Sequence, residues 1–413
     1  MGERPGDFLE HRLEHQPGWH DLNSPDRRLA QEIIFGVTRW RKTLDWLIHR
    51  KSDNRPQRPE LLVLLRIGLY QLFWLDRIPP HAAVDCSVTL AREMGLGPQS
   101  GFINAVLRGY VRQEPVTRRE LEQLKISDPA TGWSHPQWLV DRWRQRWPDT
   151  FADLLEWDNT PARTYARVNT LRTTPEKLLN AWREEGVEYA FLQPRRDWIS
   201  DGEIFQLLSF PPLATLTSFQ AGGFYIQDPS TLLAVRTLDP EPGETVLDLC
   251  AAPGGKTTLA AQIMNNTGRI VAYDSNPERL ALVRENCTRL GVTCVEIHGH
   301  DPAGIQFDKV LVDAPCSNTG VLRRRIESRW RLTPEEIGSL RDTQLGLLSR
   351  AALATKRDGA IVYSTCSLEP EENTEVIERF LQKHPEFERE DQRELLPMRD
   401  LVDGAFVCRL SRR

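Results

Sequence analysis

The stretch Thr245-Val246-Leu247-Asp248-Leu249-Cys250-Ala251-Ala252-Pro253-Gly254-Gly255-Lys256-Thr257-Thr258 decides the fold. It begins as a short apolar run ending in an acid and continues as a small-residue loop that opens a helix. Two ligands suit such a turn. A phosphate-binding loop needs glycine five positions before the Gly of Gly-Lys-Thr, and that position is Cys250, so the ATPase reading fails on its own pattern. Asp248 at the strand end repels a polyphosphate but suits the ammonium and sulfonium charges of S-adenosylmethionine. Cys250, Ala251, Ala252, Pro253, Gly254, Gly255 and Lys256 are then the cofactor turn.

Downstream, strand-like and helix-like runs alternate. Strands are expected near 245–249, 269–273, 294–297, 309–312 and 360–363, with helices at 277–290, 334–354 and 370–384, each opened by proline. Alternation of this kind predicts a doubly wound parallel sheet, a Rossmann-like α/β domain whose ligands sit at the strand C-termini. The second strand ends at Asp274, where a carboxylate can take both ribose hydroxyls, and the third is followed by Asp301, placed for the adenine edge. One such Asp is commonly a helix cap; three at successive strand ends are not all caps. The fourth and fifth strands lead into Asp313-Ala314-Pro315-Cys316-Ser317 and Tyr363-Ser364-Thr365-Cys366-Ser367.

Two thiols at one rim match a definite chemistry. Cytosine C5 is a poor nucleophile until a thiolate adds at C6 and converts the ring to an enamine, and a carboxyl near N3, here Asp313, favours that addition. A base must then remove the C5 proton while the thiolate leaves. The positive end of a helix starting at Pro370 favours a thiolate at Cys366, whereas Glu369, Glu371 and Glu372 oppose it. Cys86, Cys250, Cys287, Cys294 and Cys408 read as small buried hydrophobes.

Upstream, helical periodicity runs through 28–49, 59–74, 81–94 and 101–111, residues 113–135 read as polar and irregular, and 137–218 mix a tryptophan-rich helix with a small α+β module. The expected domains are 1–125, all-α; 126–218, α+β; and 219–413, the α/β unit. A chain of 413 residues with 40% hydrophobic and 27% charged side chains is of ordinary globular composition and too long for one core. The most apolar run, 61–75, contains Arg66 and Gln71 and is shorter than a membrane span, so no membrane partner is expected. The acidic start lacks a signal-peptide core, which makes a cytoplasmic protein with reduced thiols the expectation. Seven cysteines without CxxC spacing, and His298 and His300 without a second ligand cluster, predict no metal. A monomer is expected.

Net charge is −5, which by itself argues against nucleic acid, but local clusters matter more. Arg39 lies in one basic cluster, and Arg323, Arg324 and Arg329 with Trp330 form another just after the Cys316 motif, a pairing suited to backbone contact and base stacking. The competing reading is a solvated charged face.

Residues 248–256, 313–317 and 364–373 closely resemble the motifs of the RNA cytosine-C5 methyltransferase family, and Arg167-Val168-Asn169-Thr170 and Gln227-Asp228-Pro229-Ser230 resemble its upstream motifs. The resemblance implies that Cys366 is the nucleophile and that Cys316 assists product release. The helical part, through Arg27-Arg28-Leu29-Ala30, Gly36-Val37-Thr38-Arg39-Trp40 and 101–108, is similar to the NusB-like RNA-binding domain. Together they imply the small-subunit rRNA branch of the family, acting on C5 of cytosine 967 of 16S rRNA. A tRNA methyltransferase, or an assembly factor that keeps the fold without the reaction, are the alternatives. Arg323-Arg324-Arg325-Ile326-Glu327, where the family has Arg-Arg-His-Pro-Asp, and Ala405 and Leu259, where it has Phe and often His, are departures.

Overall fold

The computed structural model describes residues 9–53, 55–193, 195–302 and 304–413. The chain divides into two compact units: residues 1–160 with 322–331, and residues 161–321 with 332–413. The break falls at 160/161 rather than at the expected 125/126, because the helices Gln137–Arg146 and Phe151–Asn159 belong to the helical unit.

The helical unit is built on Ser24–Arg39, Arg41–Lys51, Pro59–Trp74, Pro80–Glu93 and Ser100–Arg112. Asn23 caps the first of these by accepting from the Asp26 N–H (2.9 Å), and proline opens the helices at 59 and 80. The single helix expected over 28–49 is two, because the backbone leaves helical geometry at Trp40, whose ring packs 5.0 Å from that of Trp74. Leu44, Leu47, Leu65, Leu69, Ile103 and Leu107 fill the core. Gly36 lies so close to the Tyr70 ring that a Cβ there would overlap it, at 1.8 Å. Residues 114–127, expected to be irregular, form a helix, because Thr117, Leu121 and Leu124 make a narrow buried stripe on an otherwise polar segment.

The second unit contains two sheets. Strands β1 (Thr164–Val168), β2 (Glu188–Phe191), β3 (Ile204–Ser209) and β4 (Phe224–Ile226) pair antiparallel in the order β2-β3-β1-β4, so the α+β module extends past its expected end at 218. Helix Pro175–Glu184 buries Leu178 and Trp182 on this sheet, with Phe205 and Phe224 edge-on to the Trp182 ring.

The larger sheet comprises β5 (Thr245–Asp248), β6 (Arg269–Tyr273), β7 (Val295–His298), β8 (Phe307–Asp313), β9 (Thr355–Thr365), β10 (Phe387–Leu395) and β11 (Ala405–Arg412), in the order β10-β11-β9-β8-β5-β6-β7. Strands β5 to β9 are parallel as expected, but β10 and β11 add an antiparallel edge, so the sheet is mixed. β10 carries charges at most positions and has no helical crossover before β11, which hides it from an alternating strand–helix pattern. From β5 the chain runs outward to β6 and β7, then returns to β8 and β9. The switch point therefore lies between β5 and β8, where open α/β sheets bind ligands.

Candidate active site

The turn after β5 is held rigidly by its neighbours. Gly254 has φ +103°, open only to a residue without a side chain at no cost, and a Cβ there would also press on Val283 at 3.3 Å. The Ala251 N–H donates to the Tyr273 carbonyl (2.9 Å) and the Ala252 N–H to Asp274 (3.2 Å). Arg279 and Asn286 donate to the carbonyls of Ala252 (2.8 Å) and Pro253 (3.0 Å). Arg167, fully buried on β1, reaches from the smaller sheet to the Gly255 carbonyl (3.0 Å), Thr258 (3.2 Å) and Gln227 (2.6 Å). Burial lowers its pKa to about 10, which still leaves it charged at neutral pH. The sequence marked its motif without a role; the distance along the chain, 88 residues to Gly255, concealed the contact.

The three acids stand apart in their engagement. Asp248 is buried; its Oδ2 accepts from Thr257 (2.7 Å), while its Oδ1 has no hydrogen-bond partner. Burial is the main cause that raises its pKa to about 7, outweighing the Thr257 hydrogen bond. A buried acceptor left open in this way fits an ammonium donor. Asp274 accepts from the N–H groups of Ala252 and Asn276 (2.9 Å) at the end of β6, with Arg279 3.9 Å away. Asp301 is paired with Arg350 (2.7 Å), whose guanidinium lies 5.2 Å from the Tyr273 ring, which places Asp301 toward the same strand end. Cys250 is half-buried, and burial first, then nearby acids, push its thiol up.

At the ends of β8 and β9 the backbone register sets Asp313 opposite Ser364. Asp313 Oδ2 takes the Lys256 ammonium (2.6 Å) and Oδ1 accepts from the Ser364 hydroxyl (2.8 Å). Burial lowers the Lys256 pKa, but the charge of Asp313 and its hydrogen bond more than offset this and the pKa is raised. Lys256, assigned from sequence to the cofactor turn, thus turns its side chain to the reaction side. The thiols of Cys316 and Cys366 are 3.1 Å apart, and Cys366 Sγ also lies 3.1 Å from Asn318 Oδ1. Asn318, in the left-handed region at φ +62°, donates from Nδ2 to the Cys316 carbonyl (2.9 Å). Its hydrogen bond with Cys366, followed by burial, holds the Cys316 pKa well above its ordinary value, so Cys316 is kept as the neutral thiol.

Two sequence expectations fail here. Residues 370–372 form a 3-10 turn and the helix begins at Thr374, so no helix end points at Cys366 from Pro370. The proposed RNA-contact residues Arg39, Arg323 and Arg329 are buried inside the helical unit. Arg329 donates to the carbonyls of Ser134 (3.2 Å) and Asp158 (3.0 Å) and to Asn159 Oδ1 (2.9 Å). Arg323 stacks 4.0 Å above Trp157, and Trp330, half-buried, donates from Nε1 to the Thr38 carbonyl (2.6 Å). Arg324 is half-buried. A guanidinium has five donors, which backbone carbonyls inside a fold satisfy as well as phosphate does, so basic–aromatic composition alone did not separate the two. Among the described residues no group of three or more His, Cys, Asp or Glu is arranged to hold a metal, and no helix is long and apolar enough to cross a membrane.

A ligand turn at the switch point of a mixed α/β sheet, beside two thiols and an acid, together with a separate helical unit, defines a methyltransferase of the RNA-modifying class. Residues 235–410 match the family described as 16S rRNA methyltransferase RsmB/F, residues 2–112 the NusB family, and residues 135–194 the ferredoxin-like domain of RsmF/B-like methyltransferases. The chain is 33% identical to the probable ribosomal RNA small subunit methyltransferase B of Bacillus subtilis, over 95% of this chain and 92% of that one. It is 37% identical to the protein of the same description from Synechocystis, over 90% and 84%. A crystal structure of a methyltransferase homolog protein from Pyrococcus horikoshii is 30% identical and superposes with a TM-score of 0.61, covering 69% of this chain and 98% of that one. The chain therefore belongs to the RsmB/F family of 16S rRNA methyltransferases, with an N-terminal NusB domain.

Proposed function

We propose that the protein transfers a methyl group from S-adenosylmethionine to C5 of a cytosine in small-subunit rRNA, cytosine 967 of 16S rRNA, through a covalent bond between Cys366 and C6. The observation that carries this reading is the pair of thiols 3.1 Å apart beyond the ends of β8 and β9, beside Asp313. Bound in the turn 250–256, S-adenosylmethionine supplies an electrophilic methyl group. Asp248 Oδ1 is open to its ammonium, Asp274 stands at the strand end for the ribose, and Asp301 for the adenine.

The chain's own groups account for the rest. The Cys366 thiol gives up its proton, N3 of the base takes one up, and Sγ adds to C6, so that the electron pair of the C5–C6 double bond becomes available at C5 for methylation. On this reading Asp313, held between Lys256 and Ser364, faces N3 and shares a hydrogen-bonded proton with it, which offsets the negative charge the addition pushes into the ring. After methylation the C5 proton goes to a base and the C5–C6 double bond re-forms as Sγ departs from C6, a release that Cys316 assists. Attack at C6 needs an unstacked base, so the target is a single-stranded or flipped-out cytosine. The reaction takes place in the cytoplasm, with no metal, and one chain suffices. Light scattering is expected to return a single chain's mass of 47.4 kDa.

The test uses tritiated S-adenosylmethionine with protein-free small-subunit rRNA or total tRNA. Wild type labels rRNA, Cys366→Ala gives no label, and Cys316→Ala accumulates a protein–RNA adduct. Label on tRNA alone would overturn the substrate and keep the chemistry; activity in Cys366→Ala would show that the nucleophile is another group.

A further inference from the structure

Glu372 has no part in the chemistry above, and the sequence offers it only as an acid near a helix start. It is fully buried, and its carboxylate spans the two loops that carry the thiols. From the Cys316 loop it accepts from the Ser317 N–H (2.9 Å) and from the Ser317 hydroxyl. From the Cys366 loop it accepts from the Ser367 hydroxyl (2.5 Å). Gln344, on helix Pro334–Ala354, donates to the same carboxylate (3.0 Å) and to the Pro315 carbonyl (2.9 Å). The Glu372 carbonyl accepts from Tyr363 on β9 (2.6 Å), fixing the backbone from which the carboxylate extends. Residues 317 and 367 each directly follow a reactive cysteine.

We propose that Glu372 is the positioning residue that sets the separation of the Cys316 and Cys366 thiols. This rests on the reading that both thiols serve one base. A buried carboxylate costs folding free energy, and a leucine-like side chain would fill the same space without that cost. What an apolar residue cannot do is hold a backbone N–H and two hydroxyls from separate loops at fixed distances. Attack at C6 and release from it both need a thiol placed within a few tenths of an ångström, which one common acceptor provides for both loops.

The spacing is readable without catalysis. Phenylarsine oxide condenses with two adjacent thiols, forming two As–S bonds and releasing water. In the full-length wild type, mass spectrometry is expected to find Cys316 and Cys366 bridged by one arsenic. Glu372→Gln is expected to lower that bridged product while iodoacetamide still alkylates Cys366 and S-adenosylhomocysteine binds as before. The same variant is expected to lose roughly 100-fold in kcat with KM for S-adenosylmethionine unchanged, the scale that a misplacement of about 1 Å costs. Ser317→Ala and Ser367→Ala, which remove only hydroxyls, should each give a part of both effects and little more when added to Glu372→Gln. Wild-type bridging and kcat in Glu372→Gln would overturn the proposal. So would loss of S-adenosylhomocysteine binding in parallel with bridging in all three variants, which would mark a general structural role. Absence of methyl transfer by wild type, with bridging still dependent on Glu372, would instead count against the function proposed above.

Discussion

At the scale of single residues, placement in the sheet decides what identical side chains do. Asp248, Asp274 and Asp313 all end strands, yet only Asp248 keeps a buried oxygen without a donor. Its pKa of about 7 makes an expectation about pH. Because its folded pKa lies above the ordinary carboxylate value, the ligand-free folded state holds the proton more tightly than the unfolded chain, so stability falls as pH rises from about 4 to about 7. Binding of an ammonium-bearing ligand favours the ionised form, so S-adenosylhomocysteine affinity is expected to rise as pH rises toward neutrality and to weaken by up to about tenfold per pH unit below pH 7. Calorimetric titration across pH 5.5–8 checks this, and Asp248→Asn should flatten the dependence. An unchanged profile in that variant would remove Asp248 from the ammonium site. The acids were legible from their strand ends; the network of Asn318, Ser364 and Glu372 was not, because each lies dozens of residues from, or on the far side of a turn from, the group it holds.

At the scale of elements, the segment 322–331 is the instructive case. Its arginines and Trp330 follow the Cys316 motif directly and have the composition of an RNA-binding stretch. The segment is an inserted piece of the helical unit, and within it Arg329 is buried and donates to the Ser134 and Asp158 carbonyls. Arg329→Ala is therefore expected to destabilise that unit by about 3–5 kcal/mol, the usual loss when one member of a buried charged group is removed. Urea denaturation followed by tryptophan fluorescence measures it. RNA binding by the folded variant should keep its salt slope, since a residue that contacts no phosphate releases no counterion. A slope reduced by about one, with stability unchanged, would restore Arg329 to the RNA interface. The helix at 114–127 went unrecognised for a related reason: its three buried positions are too few to outweigh its polar residues until a partner core exists to cover them.

At the scale of the whole molecule, the two units have separate hydrophobic clusters, one around Leu44, Leu65 and Leu107, the others around the two sheets. Scanning calorimetry is expected to resolve two transitions. Saturating S-adenosylhomocysteine, at about 100 times its dissociation constant, should stabilise only the unit that holds the turn 250–256, by about 2.7 kcal/mol. A single transition that shifts as a whole would show that the units unfold together. Sequence by itself determined the parallel core of the sheet, the turn after β5, the acids at the strand ends and both cysteines, because these depend on local spacing and on strand-to-helix alternation. Tertiary structure alone decided which arginines face inward, that an antiparallel edge completes the sheet, and that Lys256 meets Asp313, Asn318 meets Cys366, and Glu372 meets Ser317 and Ser367. Those outcomes depend on which donors and acceptors meet after the chain has folded, and no window of sequence contains both partners.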